Sequence, residues 1–257
     1  MRPQELEPEI DAFLQRLVPG LSDQWRGASP EQIDRIETLM GRTLPRFYRW
    51  FLMRMGASMG PVQYRSLDFS ADRILSPDAA GLVSGFGPRF FMIGYETDEV
   101  MPLHLFYDFD NQARDDARVS SIHSMGGPTH PQFDTFREMI AWGELCSWIK
   151  SRPQTCAGSF DGHGDDVFAQ LDSALMSFGF TKPIATGSNC GLYEYRDAAV
   201  SVSATPGDPP GRYHFFHFGA SNTGLVRRLL GVIANETSLE VKIKEWMPSL
   251  PDAVGLP

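Results

Sequence analysis

In the first sixty positions the apolar residues recur at helical intervals. Leu6, Ile10, Phe13, Leu14 and Leu17 stand three, four or seven apart, which predicts a helix over 5–18 that Pro19-Gly20 ends. The next helix carries a start signal. Ser29 suits the N-cap, Pro30 the first helical position, and Gln32 completes a capping box. Ile33, Ile36 and Met40 form its buried stripe, and Gly41 stops it. Thr43-Leu44-Pro45 restarts a helix, with Thr43 as cap and Pro45 as first helical residue. Phe47, Trp50, Phe51 and Met55 give that helix an aromatic inner face, and Gly56 closes it as a C-terminal cap.

After a loop-rich stretch the period changes to two. Arg89–Tyr95, Leu103–Phe109 and Arg118–Ile122 are predicted strands joined by acidic or Pro-containing turns. A helix over about 131–150 follows, with Phe133, Phe136, Ile140, Trp148 and Ile149 at its apolar positions. Residues 151–164, rich in Gly, Ser and Pro, are predicted to be a linker. The pattern then begins again. A helix over 165–178 carries Val167, Phe168, Leu171, Leu175 and Phe178. Short strands follow near 184–188, 191–196, 199–204 and 212–218. The last helix spans 221–235 with Leu225, Leu229, Leu230 and Ile233 inward, and an irregular Pro-rich tail runs over 246–257. Helices and strands thus fall in blocks, which favours an α+β fold over an alternating parallel sheet. We expect a domain at 1–150, helices packed on an antiparallel-rich sheet, and a smaller α+β domain at 165–257. Ile33, Ile36, Phe47, Phe51, Phe91, Ile93, Leu105 and Ile140 should form the core of the first.

Composition narrows the partners. Of 257 residues 42% are hydrophobic and 21% charged, as in globular chains. Twenty-three Lys and Arg against 32 Asp and Glu leave a net charge of −9. That balance disfavours nucleic acid, whose affinity comes from neutralised phosphates, and favours a basic protein partner. Apolar runs such as Phe90–Ile93 are far too short to span a bilayer. The acidic N-terminus lacks the apolar core of a secretory signal. Cys146, Cys156 and Cys190 show no Cys-x-x-Cys spacing, which fits a reducing cytoplasm and neither a disulfide scaffold nor a structural zinc. Lysine is scarce: Lys150, Lys182, Lys242 and Lys244 are the only four.

Four motifs could carry chemistry. Gly56-Ala57-Ser58-Met59-Gly60 matches the Gly-x-Ser-x-Gly elbow of hydrolases, but that elbow joins a strand to a helix, whereas here a helix enters and a loop leaves. His214 and His217 lie three apart on a predicted strand and so point to opposite faces, which does not suit one metal ion. Asp161-Gly162-His163-Gly164-Asp165-Asp166 has metal-liking side chains but lacks calcium-loop spacing, and it also fits acidic residues ahead of a helix. Asp108, Asp110, Asp115 and Asp116, with Arg114 among them, sit at the end of a predicted strand. They could be a solvated turn, a protein-docking surface, or an acid–base or magnesium site. Glu96, Asp98 and Glu99 make a second acidic turn, placed by a meander at the other end of the sheet.

The segment 28–56 resembles the SUKH superfamily in its capped helix with Ile33 and Ile36, the Gly41-Arg42-Thr43-Leu44-Pro45 step, the aromatic-rich helix with Phe47, Tyr48, Phe51 and Leu52, and the closing Gly56. The meander and helix up to about 150 are compatible with it. The resemblance implies Leu44, Pro45, Phe47, Tyr48 and Gly56 as fold determinants. It implies a bacterial immunity protein that binds and neutralises a toxin by occlusion, with no enzymatic activity, cofactor or metal. A hydrolase and an interaction scaffold unrelated to toxins are the alternatives. On the immunity reading, Asp108, Asp110, Arg114, Asp115 and Asp116 are the expected contacts to a basic toxin.

Overall fold

The computed structural model describes residues 6–62, 64, 66–98, 100, 102–113, 115–162, 166–205 and 213–249. They form an α+β protein with two antiparallel sheets. The chain divides into two compact units, Met1–Glu144 and Leu145–Pro257.

In the first unit, α1 (Pro8–Leu17) and α2 (Leu21–Gln24) precede α3 (Pro30–Met40). The capping box on α3 is complete: Ser29 Oγ accepts from Gln32 N at 3.2 Å, and Gln32 Oε1 accepts from Ser29 N at 2.8 Å. Gly41 takes the left-handed conformation, φ 66°, that lets the chain leave the helix. The following helix, α4 (Arg46–Met55), starts one residue later than the sequence indicates. Pro45 is its N-cap, so neither Thr43 as cap nor Pro45 as first helical residue holds. Gly56 does close α4, but at φ −65°, so a left-handed turn is not why glycine stands here. A Cβ would lie 2.5 Å from Leu52 O and 2.8 Å from Ala28 Cβ, so the need is for close approach of the chain before α3.

The loop-rich stretch holds β1 (Leu67–Asp68), α5 (Ala71–Ile74) and α6 (Pro77–Gly85), the two helices capped by Ser70 and Ser76. Then β2 (Phe90–Glu96), β3 (Leu103–Ala113), β4 (Asp116–His123) and β5 (His130–Phe133) complete a five-stranded sheet in the order β1-β2-β3-β4-β5. Residues 130–133 pair with β4, so the helix predicted from 131 begins only at α7 (Phe136–Lys150). The ring of Phe136 is a hub. Phe51, Phe47, Phe69, Tyr107 and Tyr48 lie 5.0, 5.5, 5.5, 6.0 and 6.2 Å away. All eight expected core residues are buried.

The second unit opens within α7. It contains β6 (Gln154–Asp161), α8 (Val167–Phe178), β7 (Cys190–Tyr195), β8 (Ala198–Ala204), β9 (Tyr213–Ala220), α9 (Thr223–Glu236) and β10 (Glu240–Met247). Its sheet runs β10-β6-β9-β8-β7. The helices α8 and α9 cover one face through Leu171, Leu175, Val226, Leu229 and Ile233, packed on Phe160, Val200, Val202, Phe216 and Phe218. Three expectations fail here. Residues 154–161 are an inner strand bonded to β9 and β10, not part of a linker. Residues 184–188 are irregular, and Trp246 and Met247, placed in an irregular tail, end β10. Gly158 explains the first failure. A Cβ there would lie 2.0 Å from Lys242 O and 2.8 Å from the Phe216 ring, so glycine serves close packing rather than flexibility.

Candidate functional site

The acidic turn between β3 and β4 is the natural starting point. The pairs Gln112–Ala117 and Ala113–Asp116 close it, and a bulge interrupts the register between Asp108 and Gln112. The bulge turns neighbouring carboxylates to different uses. Asp108 is buried. Its Oδ1 and Oδ2 each accept at 2.7 Å from the Arg89 guanidinium, in the paired geometry that suits a carboxylate. Asn111 Nδ2 adds a bond of 2.9 Å and Asp110 N one of 3.3 Å. Burial pushes the Asp108 carboxyl up, but these bonds, led by Arg89, outweigh it and hold its pKa below the ordinary value. Asp110 is exposed, with Oδ2 3.2 Å from Arg89 Nε.

Asp116 is buried as well. Its Oδ1 accepts from Ala117 N and its Oδ2 from Arg137 N, both at 3.0 Å. Arg137 N belongs to the first turn of α7, where backbone donors have no helical partner. Thr135 Oγ1 accepts from Glu138 N at 3.1 Å in the same turn. Asp116 therefore anchors the end of α7 whose Phe136 fills the core. Burial is the main cause that pushes its pKa up to about 6. Tyr107 has a fully buried ring beside this carboxyl, the buried ring of Tyr48 packs on it at 5.5 Å, and burial raises both phenols further above their ordinary range. Asp115 is exposed and left-handed, φ 59°, and its carbonyl accepts from Arg46 N at 3.0 Å. Arg114 lies outside the described residues.

Expected surface contacts are thus split. Asp108 and Asp116 are corrected to internal anchors, because each is enclosed and bonded within the chain. Asp110 and Asp115 remain on the surface. Leu44, Phe47 and Tyr48 are buried, and Leu44 and Pro45 line a pocket of about 210 Å3 shared with Arg46, Phe109 and Asp115. Arg42 stacks over Phe109 at 4.2 Å on its rim. A second pocket of about 270 Å3 adjoins through Arg46 and Asp115 and adds Glu7, Glu9 and Arg137. There Arg137 Nη2 donates to Glu9 Oε2 at 2.8 Å, Arg137 Nε lies 3.3 Å from Glu7 Oε2, and Arg46 Nε donates to Leu6 O at 2.7 Å. The corner is a recess with fixed arginines and two exposed carboxylates, Glu9 and Asp115, in its lining, while the exposed Asp110 lies on the same β3–β4 turn beside Arg89. Sequence reasoning missed Glu7, Arg46, Arg89 and Arg137. Only Arg89 left a trace: a cation at the mouth of a strand opposite the acidic end of the next.

The other motifs come apart. Ser58 leaves α4 through a turn, its Oγ accepts from Gly60 N at 3.2 Å, and the pocket of about 270 Å3 beside it has no histidine among its described lining residues. His214 meets Phe168 of α8 at 5.0 Å, whereas His217 is on the opposite face of β9. Asp161 ends β6, and Asp166 caps α8 by accepting from Ala169 N at 3.0 Å; residues 163–165 lie outside the described ones. Glu96 accepts from Asp98 N at 2.9 Å at the far end of the first sheet, and Glu99 lies outside the described residues. Among the described residues no helix is long and apolar enough to cross a membrane. No family model matches this chain, and neither does any curated protein or solved structure.

Proposed function

We propose that the protein is a cytoplasmic immunity protein of SUKH type that binds a basic toxin and blocks it by occlusion. The observation that supports this most is the arrangement around 28–56. A boxed helix, a Leu-Pro step and an aromatic helix bring Leu44 and Pro45 to the recess at the β3–β4 turn. In this reading the recess and its rim are the docking surface. Fixed arginines inside it give shape, since both are held by backbone or carboxylate partners. Glu9 and Asp115 in its lining and Asp110 on the same turn attract the toxin and raise the association rate, as rim charges do. Asp108 and Asp116 act indirectly by holding the turn and α7 in place. The chain performs no chemistry on its partner.

Co-expression with the product of the adjacent reading frame tests the reading. The two should co-purify in a stoichiometric complex, and the protein should protect cells that make that product. Failure of both would overturn the proposal.

A further inference from the structure

The second unit carries a cleft of about 600 Å3, more than twice the volume of either pocket at the β3–β4 turn and within the range of small-molecule sites. It lies on the sheet face opposite α8 and α9. The register fixes its floor. Ala157 pairs with His217 on one side and Glu245 on the other, and Thr155 with Gly219 and Met247. The small Ala157 thus lies between two larger side chains. His217 and Glu245 face each other across Ala157, two strand spacings or roughly 10 Å apart. Gly219 lets the end of α7 come down onto the sheet, for a Cβ there would stand 2.7 Å from Ile149 O and 2.9 Å from Arg152 Cγ. Arg152 is thereby held on the β9 side of the trough, which Lys150 also lines.

These cations are unusual in so acidic a chain. Among the described residues neither has a carboxylate partner. Arg152 stacks on Trp148 at 4.0 Å and donates through Nη2 to Ser151 Oγ at 3.1 Å, while its Nε is buried without an acceptor. Burial first, and then Lys150, lower the pKa of His217 against the opposing pull of Glu245, which leaves the imidazole neutral at pH 7 and free to hydrogen-bond. On the β10 side of the trough Glu245 repels a second negative charge, and Met247, half exposed, offers apolar surface.

We propose that this cleft binds a small organic monoanion. A carboxylate or comparable head meets Lys150 and Arg152, and an apolar body lies over Ala157 against Met247. The site is separate from the docking recess and does not depend on the immunity reading.

Fluorescence titration of the full chain with 8-anilinonaphthalene-1-sulfonate tests it, with the uncharged N-phenyl-1-naphthylamine as comparison. The sulfonate probe should bind at one saturable site, about tenfold or more tighter than the neutral one, since a charge-assisted hydrogen bond is at stake. Decanoate should displace it and decanol should not. Lys150→Gln with Arg152→Gln should weaken the sulfonate probe about tenfold and leave the neutral one unchanged. Because Arg152 is packed on Trp148, Lys150→Gln alone, at an exposed position, serves if the double variant melts early; it should weaken binding about threefold. Glu245→Gln should tighten binding. Unsaturable binding, equal affinity for both probes, displacement by decanol as well as decanoate, or unchanged affinity in Lys150→Gln would overturn the proposal.

Discussion

Both sheets have five strands and antiparallel neighbours, yet they are assembled in opposite ways. In the first unit strand order follows chain order, so each strand pairs with the next one made. In the second, β6 lies between β9 and β10, the last two strands, and no pairing of β6 is local. The difference shows in side-chain choice. The first sheet packs under a cluster of rings supplied by α4 and Phe136, and its strands β2, β3 and β4 carry long runs of buried residues. The inner strand of the second is Cys-Ala-Gly-Ser between Thr155 and Phe160, because its space is filled from elsewhere, by Phe216 and by the backbone of β10.

Four measurements would break or sharpen this contrast. Phe51→Ala should have the largest effect, a loss of ~3–5 kcal/mol, because Phe51 is fully enclosed and faces the Phe136 hub at 5.0 Å. An unchanged melting midpoint would remove the ring cluster as the centre of the first unit. Asp116→Asn comes next and acts through pH. The folded pKa of Asp116 stands near 6 against an ordinary 3.8, so between these values the folded chain keeps a proton that the unfolded chain has lost. The stability due to that proton is full below 3.8 and gone above about 6. Two pKa units correspond to about 3 kcal/mol. Melting at pH 4 and pH 7 should show a fall in the wild type that is reduced by that order in the variant; equal falls would contradict the assignment.

Gly158→Ala is the sharper probe of the second sheet, because the two views of 151–164 predict opposite signs. In a linker the change would stabilise by ~0.4–1 kcal/mol through the unfolded chain. In the strand, with Lys242 O 2.0 Å from the new carbon, it should destabilise by ~1–3 kcal/mol in urea unfolding. Residues 154–161 should resist proteolysis, because they form an inner strand. Smallest on the fold is Asp110→Lys with Asp115→Asn, expected within ~0.5 kcal/mol of wild type since both side chains are exposed. Asn is chosen at 115 because that residue is left-handed, which Lys tolerates poorly. If the proposed immunity function holds, the pair should slow association with the co-encoded product, and added salt should slow the wild type in the same sense. Association that ignores both would move the docking surface off this turn.

What could be read from the chain follows the same line. Ser29-Pro30 and Gln32 placed α3 correctly because a cap is a local device. Ser76-Pro77 offers the same signal for α6, yet the apolar positions after it are too irregular to draw attention to it. The meander was legible from alternation. The strand at 154–161 was not, since glycine and serine read as flexibility unless the neighbours that crowd them are known, and those neighbours come 55 to 90 residues later. The acidic turn was visible, but not the division of labour within it. Nothing in Asp108-x-Asp110 or Asp115-Asp116 says that one of each pair is enclosed; a bulge and the start of a distant helix decide that.

The place of β6 also bears on how the chain is made. As it leaves the ribosome, β6 emerges with both hydrogen-bonding edges open. One is met only when residue 213 and those after it arrive, the other only after residue 240. In that interval an unpaired strand can template pairing with a neighbouring chain. Gly158 and the small residues beside it have low strand propensity on their own, which makes β6 a poor template until the Phe216 ring and the β10 backbone close over it. The residues that disguise the strand in the sequence keep it quiet during synthesis, while the first unit, whose strands pair in order, can finish folding ahead of it.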